Sequence, residues 1–355
     1  MDCKVSVIVP VYNAQKYLQK AFDSVRRQSL GFEKIQLIFC DDCSADNSGQ
    51  MIEAWAKKYP NVLALRTNET SGSASVPRNV CIRAATAPYI MFLDNDDMLD
   101  PRACEELLFA IEKYGADVAG GSYSELHGKR IVDCAEKYAQ VPEGGIDLSR
   151  SIAPFFSAAD PFWTKIFKKS IIDSNKLEFK QVYGEDSLFI LSYLACCKKA
   201  ARIKRTVYIY RIREDSIFHD FSKKHLCEVT QCYKQAFDVL EPKGQLEYYH
   251  SFLSLGLSGF MDLLADAQNM TEDDACEVLR EWWPLLQYGA QNSLCVESAV
   301  SEILVLDAAS DEPEKAELHL KALRGLYALR RAQMNEILNS RSWRAISAIN
   351  RILKR

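Results

Sequence analysis

Apolar and polar residues fall into blocks whose period changes along the first part of the chain. Val5 to Val9 is an unbroken β-branched and apolar run, which predicts a strand buried on both faces. From Ala14 to Arg27, Tyr17, Leu18, Ala21, Phe22 and Val25 recur at helical spacing and mark one helix face. Ile35 to Cys40 is strand-like again. Asp46, Asn47 and Ser48 offer N-cap side chains to a helix carrying Met51, Ile52, Ala54 and Trp55. Val62 to Leu65 predicts a short strand, Val76 to Ala85 a helix and Tyr89 to Leu93 a buried strand. Arg102 to Tyr114 predicts a helix, and Asp117 to Ala119 starts a further strand.

Strands alternating with helices predict an α/β fold with a mostly parallel sheet covered on both faces. Ligands of such sheets bind at the carboxyl ends of the strands. Three predicted strand ends carry polar residues: Pro10, Tyr12 and Asn13 after the first, Asp41 and Asp42 after the second, and Asp94 after Ile90-Met91-Phe92-Leu93. One domain is expected over residues 1–215. The character changes near Tyr210. Residues 216–306 read as a helical region, with Leu253, Leu257, Phe260, Met261 and Leu264 on one face. Residues 307–314, with Pro313 as a breaker, read as a linker, and 315–355 as a basic amphipathic helix or helix pair.

Composition refines this picture. The 355 residues are 48% hydrophobic and 26% charged, which is ordinary for one large globular domain with an addition. A formal net charge of −4 argues against a polyanion binder as a whole, so no nucleic-acid partner is expected. The basic charge is concentrated after Glu317, where nine Lys and Arg residues face Glu336 alone. The twelve cysteines are scattered, several in apolar runs, and Asp2 and Lys4 lead directly into the first strand. Reduced, structural thiols in a cytosolic protein are the expectation. Cys40 and Cys43 have C-x-x-C spacing without a second pair to complete a zinc site, and are read as structural. The longest apolar candidate, Phe252 to Leu264, is too short for the roughly 20 residues a membrane span needs.

The candidate chemistry is acidic. Asp94, Asp96 and Asp97 crowd at one strand end, where carboxylates repel each other unless a cation lies between them. Oxygen ligands suit Mg²⁺ or Mn²⁺. The plainer alternative is an Asp-rich turn before the helix that follows Pro101. Glu185-Asp186 opens a helix whose apolar face includes Leu188, Phe189 and Leu191. An acid there is either a helix cap or a general base aimed into a cleft. Arg78, Lys165, Arg211 and Arg213 are either surface cations or partners for a pyrophosphate.

Taken together, Val5-Ser6-Val7-Ile8-Val9-Pro10-Val11-Tyr12-Asn13, Asp41-Asp42-Cys43-Ser44-Ala45-Asp46-Asn47-Ser48, Phe92-Leu93-Asp94-Asn95-Asp96-Asp97 and Gly184-Glu185-Asp186 resemble the family-2 inverting glycosyltransferases of the GT-A fold. The four motifs stand in order with fitting spacing over residues 1–215. The resemblance implies that Pro10, Tyr12 and Asn13 line a nucleoside pocket. It implies that Asp42, with Asp41 beside it, bonds a base, expected to be uracil. Asp94 would face the ribose or sugar, Asp96 would bind Mn²⁺ or Mg²⁺ together with Asp94, and Asp97 would support them. Asp186, beside Glu185, would be the base that activates an acceptor hydroxyl. Arg78 would serve the donor, and Trp163, Lys165, Arg211 and Arg213 the acceptor or phosphate side. Two departures stand out: Cys43 where the family often has Gly, and Pro77 before Arg78 where it often has Ala.

The function this implies is transfer of a sugar from a nucleotide-sugar, expected to be a UDP-sugar, to a glycan or lipid-linked acceptor. The expected setting is cytoplasmic, at the inner face of the membrane. The tail, with Trp343, Ile346, Ile349, Ile352 and Leu353 among its arginines, would contact an anionic membrane or a second subunit. Two alternatives are a sugar nucleotidyltransferase and a non-catalytic relative acting through its helical region. Tyr12-Asn13-Ala14-Gln15 stands where the first would carry a Gly-rich phosphate loop, and intact Asp96 and Asp186 speak against the second.

Overall fold

Four parallel strands carry the polar strand ends. A computed structural model describes residues 2–135, 143–148, 161–213, 222–268, 270–294, 296 and 298–339. The first half contains β1 (Val5–Val11), α1 (Gln15–Arg26), β2 (Ile35–Asp41), α2 (Ser48–Lys58), β3 (Val62–Arg66), α3 (Ser75–Ala84) and β4 (Tyr89–Phe92). β3, β2, β1 and β4 lie side by side, all parallel. Every residue of β1 is buried, as its unbroken apolar run requires. Pro10 fits because β4 pairs only as far as Ile8. The missing Pro10 N–H lies on the side β4 has left, and its carbonyl there accepts from Asn95 Nδ2 at 3.0 Å.

The sheet then changes character. β5 (Met98–Leu99), α4 (Ala103–Lys113), β6 (Val118–His127), β7 (Arg130–Asp133), β8 (Gly144–Asp147), β9 (Lys165–Lys168), α5 (Lys169–Asn175), α6 (Glu185–Leu194) and β10 (Lys199–Ile212) follow. β9 inserts between β4 and β6 and is antiparallel to both. β10 runs parallel to β6 but antiparallel to β5 and β8. The expected parallel pairing therefore holds for β3-β2-β1-β4 and for β6-β10, and the rest of the sheet is mixed. β5 is the decisive link. It follows the acidic cluster at once and pairs Leu99 with Tyr208, which brings β10 to the cluster.

The chain divides into two units, the first comprising Met1–Ile217 and Lys234–Tyr248, the second Phe218–Tyr233 and Tyr249–Arg355. The boundary expected at residue 215 falls within 214–221, outside the described residues. Helices α7 (Lys223–Leu240), α8 (Leu246–Asp266), α9 (Glu272–Gln291), α10 (Ala299–Ala309) and α11 (Pro313–Asn339) make up the C-terminal part. In the second unit Trp282 is fully buried and donates from Nε1 to the Leu226 carbonyl at 2.8 Å. Leu253, Leu257, Met261 and Leu264 are buried along α8, and a Cβ at Gly256 would run into the Tyr233 ring. Thr271 caps α9 by accepting from Asp274 N.

The stretch 307–314 is not a linker. Asp307 to Ala309 is the last turn of α10, and Pro313 opens α11 instead of breaking one. Pro lacks an N–H that the first helical turn does not use. Buried Asp307 is bound by His319 Nδ1 at 2.8 Å, which ties the two helices at this point. Residues 340–355, including Trp343, Ile346, Ile349, Ile352 and Leu353, lie outside the described residues. No helix among the described residues is long and apolar enough to cross a membrane.

Candidate active site

The end of β1 and the loop after β2 form one hydrogen-bonded unit. Asn13 adopts a left-handed backbone (φ 46°), donates from its N–H to Ser44 Oγ, and accepts from Ala45 N through Oδ1. Ser48 Oγ and Asp46 Oδ2 accept from Ala14 N and Gln15 N, so this loop caps α1 with side chains. Tyr12 lies beside it, 51% exposed. Cys43 also has positive φ, 60°, a left-handed backbone that glycine adopts without strain.

Asp42 is buried, and its carboxylate is already engaged. Oδ1 accepts from Thr67 Oγ1, and Oδ2 from Ser71 N and Ser71 Oγ, each at 2.9 Å. The expected base contact would use what remains of its acceptor capacity. Asp41 differs. Oδ1 accepts from Ser44 N at 3.1 Å, whereas buried Oδ2 has no hydrogen-bond donor among the described residues. Arg66 Nε stands 3.7 Å from Oδ2, and Gly49 leaves room beside it that a Cβ would narrow to 3.0 Å.

The acidic cluster is built around Arg78. Pro77 sits in the first turn of α3, where its missing N–H is no loss, and Arg78 N makes the helical bond to the Ala74 carbonyl. Phe92, Phe162, Phe179 and Phe189 pack on one another beneath it. The Arg78 guanidinium lies 4.8 Å from the Phe162 ring centre and 5.1 Å from that of Phe179. From this apolar floor it reaches Asp94 Oδ1 at 2.9 Å and Glu185 Oε1 at 3.0 Å. One buried cation thus joins the end of β4 to the start of α6. Burial pushes the Glu185 carboxyl up, more than Arg78 pulls it down, with Asp186 adding to the rise.

Asp186 follows Glu185 in the first turn of α6, which Gly184 enters with φ 87°. Its carboxylate accepts from Ser187 N at 2.7 Å. Leu188, Phe189 and Leu191 are buried, so α6 is anchored by its apolar face while its acidic turn lies at the site edge.

Asp96 and Asp97 meet β10. Asp97 is buried and accepts from Tyr208 Oη at 2.9 Å and from Arg211 N at 2.7 Å. Tyr208 Oη also accepts from Asp94 N. Burial and then the Asp96 and Asp94 carboxylates push Asp97 well up. Asp96 pairs with Arg213, Nε to Oδ2 at 3.0 Å, while Arg211 Nε donates to the Asp96 carbonyl at 2.7 Å. Burial and Asp94 raise the Asp96 carboxyl, against the pull of Arg213. Trp163 stacks on Tyr208 (4.0 Å) and on Tyr210 (5.6 Å). Lys165, the first residue of β9, is 1% exposed and donates to the Pro161 carbonyl at 2.9 Å, so it is a core cation.

Asp94, Asp96, Asp97, Glu185, Arg78, Arg211 and Arg213 therefore come together from four elements. Tyr208, Asn95 and Tyr17 join them, and Thr67 and Ser71 bind Asp42; none of these five was anticipated as a site residue. For Tyr208 a signal existed: Val207-Tyr208-Ile209-Tyr210 is a β-rich run leading straight to the two arginines.

The residues present fit a hard divalent cation. Asp94 and Asp96 each give one oxygen to an arginine and have a second to offer. Among the described residues no three His, Cys, Asp or Glu are grouped to hold an ion unaided. An ion taking one or two carboxylates and completing its shell with phosphate and water suits that set.

A mixed sheet with helices on its faces and an acidic cluster at the carboxyl ends of its parallel strands defines a GT-A fold. Residues 6–127 match the glycosyl transferase family 2 model. It is 34% identical over 228 residues to the poly(ribitol-phosphate) beta-N-acetylglucosaminyltransferase TarP of Staphylococcus aureus, covering 63% of this chain and 65% of that protein. It is 28% identical over 214 residues to a poly(ribitol-phosphate) beta-glucosyltransferase of Bacillus spizizenii, covering 60% of this chain and 33% of that one. The alignments thus span less than two thirds of either relative. Among solved structures, S. aureus TarS 1-349 in complex with UDP-GlcNAc superposes with a TM-score of 0.74 at 19% identity, over 91% of this chain and 92% of that one. That likeness establishes the shared fold.

Proposed function

We propose that this protein transfers a sugar from a UDP-sugar, most specifically UDP-N-acetylglucosamine, to a hydroxyl of a polyol-phosphate polymer, with inversion. The observation that carries this reading is the meeting of Arg78, Asp94 and Glu185, which sets Asp96 and Asp186 on one edge of the sheet. The names of both relatives support a poly(ribitol-phosphate) acceptor, and the N-acetylglucosaminyltransferase name of TarP and the UDP-GlcNAc bound to TarS support the donor.

Asp41, buried and paired with Arg66, would stand behind Asp42 at the nucleoside end of the site. Asp42 holds the loop around it. Asp96 and Asp94 would hold a Mn²⁺ or Mg²⁺ ion, which supplies neutralisation of charge on the leaving diphosphate. Asp186 accepts the proton of the acceptor hydroxyl. That oxygen attacks the anomeric carbon from the face opposite the diphosphate, the bond to the diphosphate oxygen breaks, and UDP leaves with the electron pair. Glu185, neutralised by Arg78, keeps the first turn of α6 in place. Trp163 stacks against Tyr208 and so braces Asp97 and Asp94.

The test is incubation with UDP-N-acetylglucosamine, Mn²⁺ and a poly(ribitol phosphate) chain, followed by NMR of the product. The reading predicts UDP release and β-linked N-acetylglucosamine from the α-linked donor. An α-linked product would exclude inversion, and release of pyrophosphate would point to nucleotidyl transfer.

A further inference from the structure

Arg211 and Arg213 leave the end of β10 two residues apart and meet the same aspartate in different ways. Arg211 is fixed by backbone: its N–H is bound by Asp97 Oδ1, and its Nε binds the Asp96 carbonyl. Arg213 instead takes Asp96 Oδ2, a carboxylate oxygen. Both guanidinium groups lie over the Tyr17 ring, at 5.2 Å and 5.7 Å from its centre. That face holds a guanidinium by cation–π attraction without fixing its direction. The Arg213 side chain is 29% exposed and Asp96 16%, so the pair borders solvent.

A guanidinium and a divalent cation on one carboxylate repel each other strongly in a partly desolvated site. A diphosphate arriving beside Asp96 offers Arg213 a better partner, because phosphate oxygens match its planar fork. We propose that Arg213 is an exchangeable counter-ion. It holds Asp96 while the donor site is empty, and it passes to the anionic diphosphate when a divalent cation takes Asp96. Arg211, tied through its backbone and Nε, stays where it is. This inference rests on the reading of the edge as a site for a nucleoside diphosphate and a cation.

Two titrations on the full chain test it. Mn²⁺ alone is followed by the EPR signal of the free ion, and UDP with saturating Mg²⁺ is followed by calorimetry. Arg213→Gln is expected to bind Mn²⁺ about fivefold more tightly, because a competing cation is gone. The same variant is expected to bind UDP about tenfold more weakly, because a charge-assisted bond is lost. Arg213→Lys, which keeps the charge but not the fork, should leave Mn²⁺ affinity near the wild-type value and recover part of the UDP affinity. Unchanged or weaker Mn²⁺ binding in Arg213→Gln would overturn the exchange. So would unchanged UDP binding, which would mark Arg213 as a fixed brace for Asp96. Wild-type chain that binds neither Mn²⁺ nor UDP would sink the reading of the site itself.

Discussion

Two aspartate groups stand on the same sheet edge and are held on opposite plans. At the end of β2, Asp42 receives neutral donors, Thr67 and Ser71, from the loop after β3. At the end of β4, Asp94 and Asp96 are held by guanidinium groups from α3 and from the end of β10. Neutral donors shape a loop and remain in place. Charge pairs that border solvent are open to competition from a cation on one side and an anion on the other. Asp97 follows the first plan inside the second group, since Tyr208 and the Arg211 backbone hold it. The edge therefore combines a fixed frame, Asp42, Asp97 and the buried Arg78–Asp94 pair, with one exchangeable member, Asp96.

That contrast is tested most severely at Arg78. Arg78→Met strands the Asp94 and Glu185 carboxylates over an aromatic floor and should cost about 3 kcal/mol of stability in denaturant unfolding. A loss well under 1 kcal/mol would mean that solvent already supports both acids. Tyr208→Phe removes the donor to Asp97 and the acceptor for Asp94 N, at a cost of about 1–3 kcal/mol.

Titration sharpens the role of Asp97. Burial and the neighbouring carboxylates raise its folded value above the ordinary one near 4. The folded chain then binds a proton that the unfolded chain releases. This contribution to stability is full below about pH 4 and is lost as pH rises through the raised value. Asp97→Asn should flatten that fall in stability measured by unfolding at a series of pH values. An unchanged slope would mean that the Tyr208 and Arg211 bonds already keep Asp97 ionised. The smallest effect is expected at Cys43, whose left-handed backbone favours glycine. Cys43→Gly should stabilise the chain by up to about 1 kcal/mol, offset by the lost contact to the Thr67 carbonyl.

The parallel half of the sheet was legible because each strand and helix carries its own period. Val5 to Val9, Ile35 to Cys40 and Tyr89 to Leu93 lie in β1, β2 and β4, within two residues of their ends. β5 has two residues, too few for any period to show, and it is the element that brings β10 to Asp97. The first part of β10 mixes Lys, Arg and Thr with its apolar residues and is held by distant partners, so only Val207 to Tyr210 showed a strand pattern. Arg78 and Glu185 were both visible as candidates. Their ion pair, 107 residues apart in the chain, was not, and neither was the loop of Thr67 and Ser71 that occupies Asp42.

The central claim is that Asp186 acts as the base while the rest of the edge holds the donor. It is tested most directly by measuring UDP-N-acetylglucosamine binding and sugar transfer on Asp186→Asn with Mn²⁺ present. The account predicts donor affinity within about twofold of the wild type and a transfer rate lower by about a thousandfold. Transfer at the wild-type rate by Asp186→Asn would contradict it.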